Sequence, residues 1–402
     1  MPFRESNRME ERIALMRAYD SGLFTVSDLC ANHGVCRNTF YDLKRWRDAG
    51  DERWFEERSR APLSCPHSTS PEMIAKILAL RSKFAHFGPK KLRARLLMNE
   101  PEGGLKAPSA STIGDILKRN GLITPRKRQR PVIAQGEVIA GATEPNGEWA
   151  YDFKGWFRTT DGTRCDPLTV TDTASRYLLE TRITAPTHDG VRAIMERLFH
   201  EVGLPDAIRS DNGAPFGSIG AGGLSRLSVW FLKLCIEPRY IPPASPQDNG
   251  RHERMHRTLK AETSRPAAVT WQQQQVRFNQ FRRHYNEERP HEALDQTPPA
   301  AHWRPSNREM PTRIEEPWYD ADHEVRKVRP TGEIKWRGKL VFIGEALARE
   351  PVGIAEIEDD THVVRFCGRD LGTIDRNIRF HRFAPPRVRL RKAVKPKRTE
   401  DE

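Results

Sequence analysis

The sequence predicts a multidomain α/β protein, and three stretches carry that reading. Between residues 145 and 305, segments of period two alternate with segments of helical period in the order βββαβαβα. Ahead of them, residues 8–122 show only helical patterning, and behind them residues 318–383 show short apolar runs broken by glycines. A length of 402 residues allows two to four domains at about 100–200 residues each. The formal charge of +13 and the pI near 9.6 favour a polyanionic partner. Six irregularly spaced cysteines read as reduced thiols rather than a disulfide framework. No apolar run approaches the ~18 residues of a membrane span, and no signal-peptide core opens the chain, so a soluble cytoplasmic protein is expected.

Residues 1–59 are expected to form a helix-turn-helix domain. Met9, Ile13 and Met16 mark one helix, and Val26, Leu29 and Cys30 with Ala31 mark a second. Gly34 makes a tight turn, and Val35, Phe40, Leu43 and Trp46 give a third stripe. Its outer side offers Arg37, Asn38, Tyr41, Lys44 and Arg45, side chains suited to a DNA major groove. A plain helical bundle with a basic surface fits the same pattern. Cys30, His33 and Cys36, with Cys65 or His67, suggest zinc, but the spacing is not a usual one and Cys30 fits a helix core. After a linker rich in Pro and Ser, residues 70–124 read as a second helical unit of helix-turn-helix or winged type. Residues 125–144 then form a basic linker containing Arg126-Lys127-Arg128-Gln129-Arg130.

The middle stretch, 145–305, opens with Trp149-Ala150-Tyr151-Asp152-Phe153, a strand that sets Asp152 among aromatics. Leu168, Val170 and Asp172, then Tyr177, Leu179, Thr181 and Ile183, alternate at period two, so three strands form a meander. Val191, Ile194, Met195, Leu198, Phe199 and Val202 make a helix stopped by Gly203 and Pro205. A short apolar strand then ends at Asp211. A Gly-rich segment, 217–223, leads into a helix carrying Leu224, Leu227, Phe231 and Leu234, followed by a strand at 239–241. Pro246 and Asn249-Gly250 read as a loop before the next helix. That helix puts Glu253, His256, Arg257 and Lys260 on one face and Met255 and Leu259 on the other. The spacing also fits a solvated Glu253–Arg257 ion pair, His256 reads as polar surface, and Asp172 reads as turn capping. A further helix buries Phe278, Phe281 and Tyr285. Residues 318–385 read as a small β-barrel-like domain, and 386–402 as a basic disordered tail.

Acidic residues at the ends of apolar strands are costly unless used. Here Asp152 and Asp211 stand at two such ends, and Glu253 stands among cations. The surrounding words are specific: Ser210-Asp211-Asn212-Gly213, Pro246-Gln247 with Asn249-Gly250, Glu253-Arg254, His256-Arg257-Thr258-Leu259-Lys260, then Tyr285-Asn286 and Arg289-Pro290-His291. On these words the chain resembles the integrase-core transposases of bacterial insertion sequences, relatives of retroviral integrase. The resemblance covers roughly residues 145–305 and implies a ribonuclease H-like core whose acidic triad is Asp152, Asp211 and Glu253. One departure is the 41 residues between Asp211 and Glu253, several more than the commonest pattern has.

The resemblance further implies two Mg²⁺ or Mn²⁺ ions about 3.5–4 Å apart, with Asp152 bridging and Asp211 and Glu253 each on one metal. Such a site suits attack on a phosphodiester without a covalent enzyme intermediate, and Lys260 and Arg257 would hold the DNA backbone. The implied partners are double-stranded DNA, as element ends and target, and further copies of the chain in a dimer or larger assembly on that DNA. The implied place is the bacterial nucleoid. Two other readings share the core: a DNA-binding regulator descended from such an enzyme, and a ribonuclease H-like nuclease.

Overall fold

The computed structural model describes residues 7–58, 68–99, 107–123 and 142–383, except 212, 219, 242–245 and 359, and of 246–251 it describes only the backbone. The expected basic linker, as far as residue 141, and the expected basic tail lie outside the described residues. Contacts divide the chain after Thr69 into two units, each taken by itself.

The first unit is three helices, α1 (Arg8–Asp20), α2 (Val26–Asn32) and α3 (Arg37–Asp48). Asn7 and Thr25 cap α1 and α2 with side-chain oxygens, as residues before a first helical turn commonly do. Leu15, Met16, Leu29, Cys30, Phe40 and Leu43 form the core. The first stripe differs from expectation, because Met9 lies 41% exposed and burial begins only in the second half of α1. Gly34, at φ 62°, makes the turn between α2 and α3. His33 faces Glu11 at 3.2 Å, while Cys36 is exposed.

The second unit begins with α4 (Pro71–Lys83), α5 (Pro89–Asn99) and α6 (Ala110–Arg119), packed around Ile77, Phe87, Leu92 and Ile113. The central sheet follows: β1 (Trp149–Phe153), β2 (Phe157–Arg158), β3 (Arg164–Cys165), β4 (Pro167–Asp172), β5 (Leu178–Ile183), α7 (His188–Val202), β6 (Ala207–Ser210), α8 (Arg226–Lys233), β7 (Glu237–Tyr240), α9 (Pro246–Thr263) and α10 (Trp271–Glu287). Five strands pair in the order β5-β4-β1-β6-β7, with β5, β4 and β1 antiparallel and β1, β6 and β7 parallel. The βββαβαβα order holds, with two local differences. The small hairpin β2–β3 interrupts the meander, and its signal was Asp161-Gly162: Gly162 turns at φ 85° while Asp161 accepts the Thr163 N–H at 3.0 Å. The second difference is that α9 starts at Pro246, so Asn249-Gly250 lies inside the helix and not in a loop. Proline suits a first helical position, and one internal glycine costs only about 1 kcal/mol.

Alternation along the strands gives the sheet two faces. Trp149, Tyr151, Leu168, Val170 and Ile208 pack against α7 and α8. On the other face α9 and α10 bury Met255, Leu259, Phe278, Phe281 and Tyr285 beside Leu178. β5 is an edge strand, and α10 satisfies its free backbone with side-chain amides. Asn286 accepts the Leu178 N–H at 2.8 Å and donates to its carbonyl at 2.9 Å; Gln275 does the same to the Ile183 N–H and Thr181 carbonyl at 2.9 and 2.8 Å. The word Tyr285-Asn286 therefore fastens a helix to a sheet edge. α4 and α5 rest on the same helix through Phe84 and Phe87 stacked on His284, and through Arg95 and Glu288 at 3.2 Å.

The C-terminal region is β8 (Glu324–Lys327), β9 (Glu333–Trp336), β10 (Lys339–Phe342), β11 (Pro351–Glu358), β12 (Thr361–Phe366), β13 (Arg369–Ile374) and β14 (Phe380–Arg382). The expected barrel is not closed: β14-β13-β12-β11-β8 form one antiparallel sheet and β9–β10 a separate hairpin. The apolar side of these strands is covered from outside. Ala221, Leu224, Val229 and Leu232, in and before α8, share one core with Trp336, Ile354, Val364 and Leu371. Gly222, at φ 61°, lies so close to Leu371 that a Cβ would sit 3.3 Å from its methyl carbon. The end of the glycine-rich segment, Ala221 to Leu224, is thus buried against the C-terminal strands.

Candidate active site

Asp152 sits half-buried on β1, on the sheet face covered by α9. β1 and β6 run parallel with Trp149 beside Ile208 and Ala150 beside Arg209. Asp211 follows directly on β6, so the two parallel strands carry Asp152 and Asp211 toward the same end of the sheet. Asp211 is exposed, and its carboxylate accepts the Gly213 N–H at 3.0 Å. Behind them Glu148 is wholly buried, 2.7 Å from Arg209 and 3.0 Å from Arg239.

Thr169, opposite Asp152 on β4, connects the sheet to α9. Its hydroxyl lies 2.7 Å from His252 Nε2 and 2.7 Å from His256 Nε2, and Thr171 Oγ1 lies 3.2 Å from His252 Nδ1. A hydroxyl has one proton, so at least one imidazole donates to Thr169. Ligand atoms of Asp152, His252 and His256 all lie within 4.8 Å of one another. Glu253 is exposed on the same helix, next in sequence to His252.

The structure therefore gathers Asp152 with two histidines, and the three acids do not form one such tight cluster among the described residues. This corrects the reading of His256 as polar surface and adds His252. A signal was present: residues 252, 255, 256 and 259 form one i, i+3, i+4, i+7 stripe, so both histidines share the face of Met255 and Leu259. Asp172 does serve its turn, accepting from Ser175 N–H and hydroxyl at 2.7 and 2.6 Å and from Asn146 N–H at 2.7 Å.

Burial holds both imidazoles neutral. It lowers the His252 pKa from 6.5 to about 4, and it lowers that of His256 further, helped by His252 and Lys154. The folded values lie below the unfolded one, so as pH falls through 6.5 the unfolded chain takes up protons first. Stability is then complete above pH 6.5 and is lost toward pH 4, on the order of 3 kcal/mol from His252 alone. Urea unfolding without metal should show this decline, and His252→Asn should flatten it; an equally steep decline in the variant would refute the assignment.

Lys260 and Arg257 lie exposed on α9. With Lys154, Trp156, Phe157, His256, Ser264 and Arg265 they line an open hollow of about 430 Å³. Burial, then the nearby Lys260 and Arg265, lower the Lys154 pKa to about 8. In the first unit Arg37, Asn38, Tyr41 and Arg45 are exposed on α3, whereas Lys44 is half-buried and paired with Asp48 at 2.8 Å.

Two family models, each described as an integrase core domain, match residues 142–246 and 234–299. The chain is similar to an uncharacterized 39.2 kDa protein of insertion element IS476 from Xanthomonas euvesicatoria, 30% identical over 180 residues, 44% of this chain and 49% of that protein. An uncharacterized 31.7 kDa protein of insertion element IS407 from Burkholderia multivorans is 24% identical over 238 residues, 58% of this chain and 82% of that protein. Residues 142–299 thus match an integrase core domain, and the chain is similar to proteins of insertion elements. It spans about half the length of the IS476 protein. Among solved structures, the integrase core is similar to the HTLV-2 integrase catalytic core in complex with magnesium, at 14% identity over 40% of this chain and 99% of that one, TM-score 0.32. No helix among the described residues is long and apolar enough to cross a membrane.

The donor set of this integrase core fits divalent ions. The Asp152 carboxylate offers the hard oxygens that Mg²⁺ takes, and the neutral imidazoles of His252 and His256 gathered with it suit Mn²⁺ as well.

Proposed function

We propose that this chain is the transposase of an insertion element, which binds the element's terminal repeats, cleaves a strand at each end and joins the 3′ ends to target DNA. What supports this reading is the parallel pairing of β1 with β6, which carries Asp152 and Asp211 toward the same end of the sheet, together with the approach to Asp152 of His252 and His256 on α9, the helix of Glu253. Asp152, Asp211 and Glu253 would hold the Mg²⁺ or Mn²⁺ ions. Bound ions of this kind stabilise charge on the entering and leaving oxygens of a phosphoryl transfer.

The chain's own groups do the rest. His252 and His256, tied to Thr169, fix the sheet–helix spacing around the Asp152 carboxylate. Arg257 and Lys260 hold the phosphates next to the scissile one. Base recognition falls to α3, through Arg37, Asn38, Tyr41 and Arg45, with Lys44 weakened by Asp48. Each chain supplies one acidic site while an element has two ends, so the active form is a dimer or larger assembly on DNA.

The test incubates the full chain with Mg²⁺ or Mn²⁺ and labelled DNA carrying the repeats that flank its own gene. Strand nicks at the repeat ends and joined products are expected; neither product with either ion would sink the proposal.

A further inference from the structure

The β2–β3 hairpin has no role in the function proposed so far, yet an aromatic side chain at its base lines the same hollow as His256. Trp156 is 56% exposed at its base. The guanidinium carbons of Arg158 and Arg164 lie 5.8 and 5.2 Å from its ring centre. Neither arginine is loose, for Arg164 makes two 2.8 Å bonds to Asp166 and Arg158 bonds the Gly162 carbonyl at 2.6 Å. The hairpin is anchored as well. Phe157 meets Phe278 edge-on, and the Thr160 and Asp161 N–H groups each donate at 3.0 Å to the carbonyls of Ala268 and Val269.

Trp156 also lines the hollow that reaches His256 and so the Asp152 cluster. Four of the eight residues lining that hollow are cationic, Lys154, Arg257, Lys260 and Arg265, and none is a carboxylate. Cations crowded around an exposed indole match a strand of nucleic acid, with phosphates for the charges and a base for the ring. A base within a duplex offers no open face to a side chain, because its neighbours cover both sides. An unpaired base does.

We propose that Trp156 stacks an unpaired base of the DNA end held at Asp152, while Lys154, Arg257, Lys260 and Arg265 take the phosphates of the same strand. This inference rests on the transposase reading, and it adds that the enzyme opens or selects frayed ends. Because the indole is solvent-facing, its replacement opens no core.

The test uses the full chain without divalent metal and two duplexes carrying 2-aminopurine at the terminal position, one fully paired and one with its last two bases unpaired on one strand. Wild type should quench the fluorescence of the frayed duplex. Trp156→Ala should lose that quenching and weaken binding to the frayed duplex about tenfold more than to the paired one. Trp156→Phe should keep most of both effects. Unaltered quenching in Trp156→Ala, or equal weakening on both duplexes, overturns the inference. Cleavage by wild type alongside such a result would leave the transposase reading standing. Stacking lost in Trp156→Ala, in a chain that never cleaves, would support the base-stacking site and sink the transposase reading.

Discussion

Asp152→Asn, Asp211→Asn and Glu253→Gln should each abolish strand cleavage and joining, by about 10⁴-fold or more, because residues that act as one unit lose nearly everything when one is removed. Each change deletes one negative charge and almost preserves shape, so a folding defect is a poor explanation of the loss. Affinity for DNA is spread over many Lys and Arg contacts and should survive with its steep salt dependence intact. The comparison is direct: labelled repeat-end DNA, Mg²⁺, single-turnover conditions, and a filter-binding measurement on the same preparations. Joining at the wild-type rate by any one variant would remove that residue from the triad. Asp211 and Glu253 are the sharper tests. Both are exposed, and an exposed carboxylate with a purely structural role would cost little when neutralised.

How much of this was legible in the sequence depends on how local the determining physics is. α7 was plain because its apolar stripe, helix-stopping Gly203 and Pro205 are all within one short stretch. The strand carrying Asp152 was plain for the same reason. The hairpin at Trp156 was not, since two-residue strands carry no period to detect, and only Asp161-Gly162 marked the turn. The open C-terminal sheet was illegible in principle: alternation shows that one face is buried, but not that residues of a distant segment, Ala221 to Leu232, do the covering. The site divided along the same line. Asp152, Asp211 and Glu253 were read through motif words. His252 and His256 were missed because a histidine's polarity suggests solvent, and only their partners Thr169 and Thr171, some eighty residues earlier, make burial affordable.

Glu148→Ala should destabilise the second unit by about 3–5 kcal/mol, the usual penalty for leaving a buried charge without its partner. Glu148 is wholly buried and faces Arg209, whose side chain is 7% exposed, at 2.7 Å. Arg239 approaches its other oxygen at 3.0 Å but is 49% exposed, so water can compensate that guanidinium and not the one on Arg209. The pair has a second consequence, because Glu148 directly precedes β1 and Arg209 lies on β6, across from Ala150. It joins the two strands whose ends present Asp152 and Asp211. Loss of Glu148 should therefore lower cleavage even at temperatures where the chain remains folded. A double-mutant cycle separates charge from packing. Glu148→Met combined with Arg209→Met removes both charges and keeps volume, so it should unfold at a higher urea concentration than Glu148→Met alone, with a coupling energy of about 1–3 kcal/mol. If Glu148→Ala unfolds within about 1 kcal/mol of wild type, or if the two methionine changes simply add, the pair does not hold β1 against β6 and the alignment of the two aspartates must come from backbone hydrogen bonding alone.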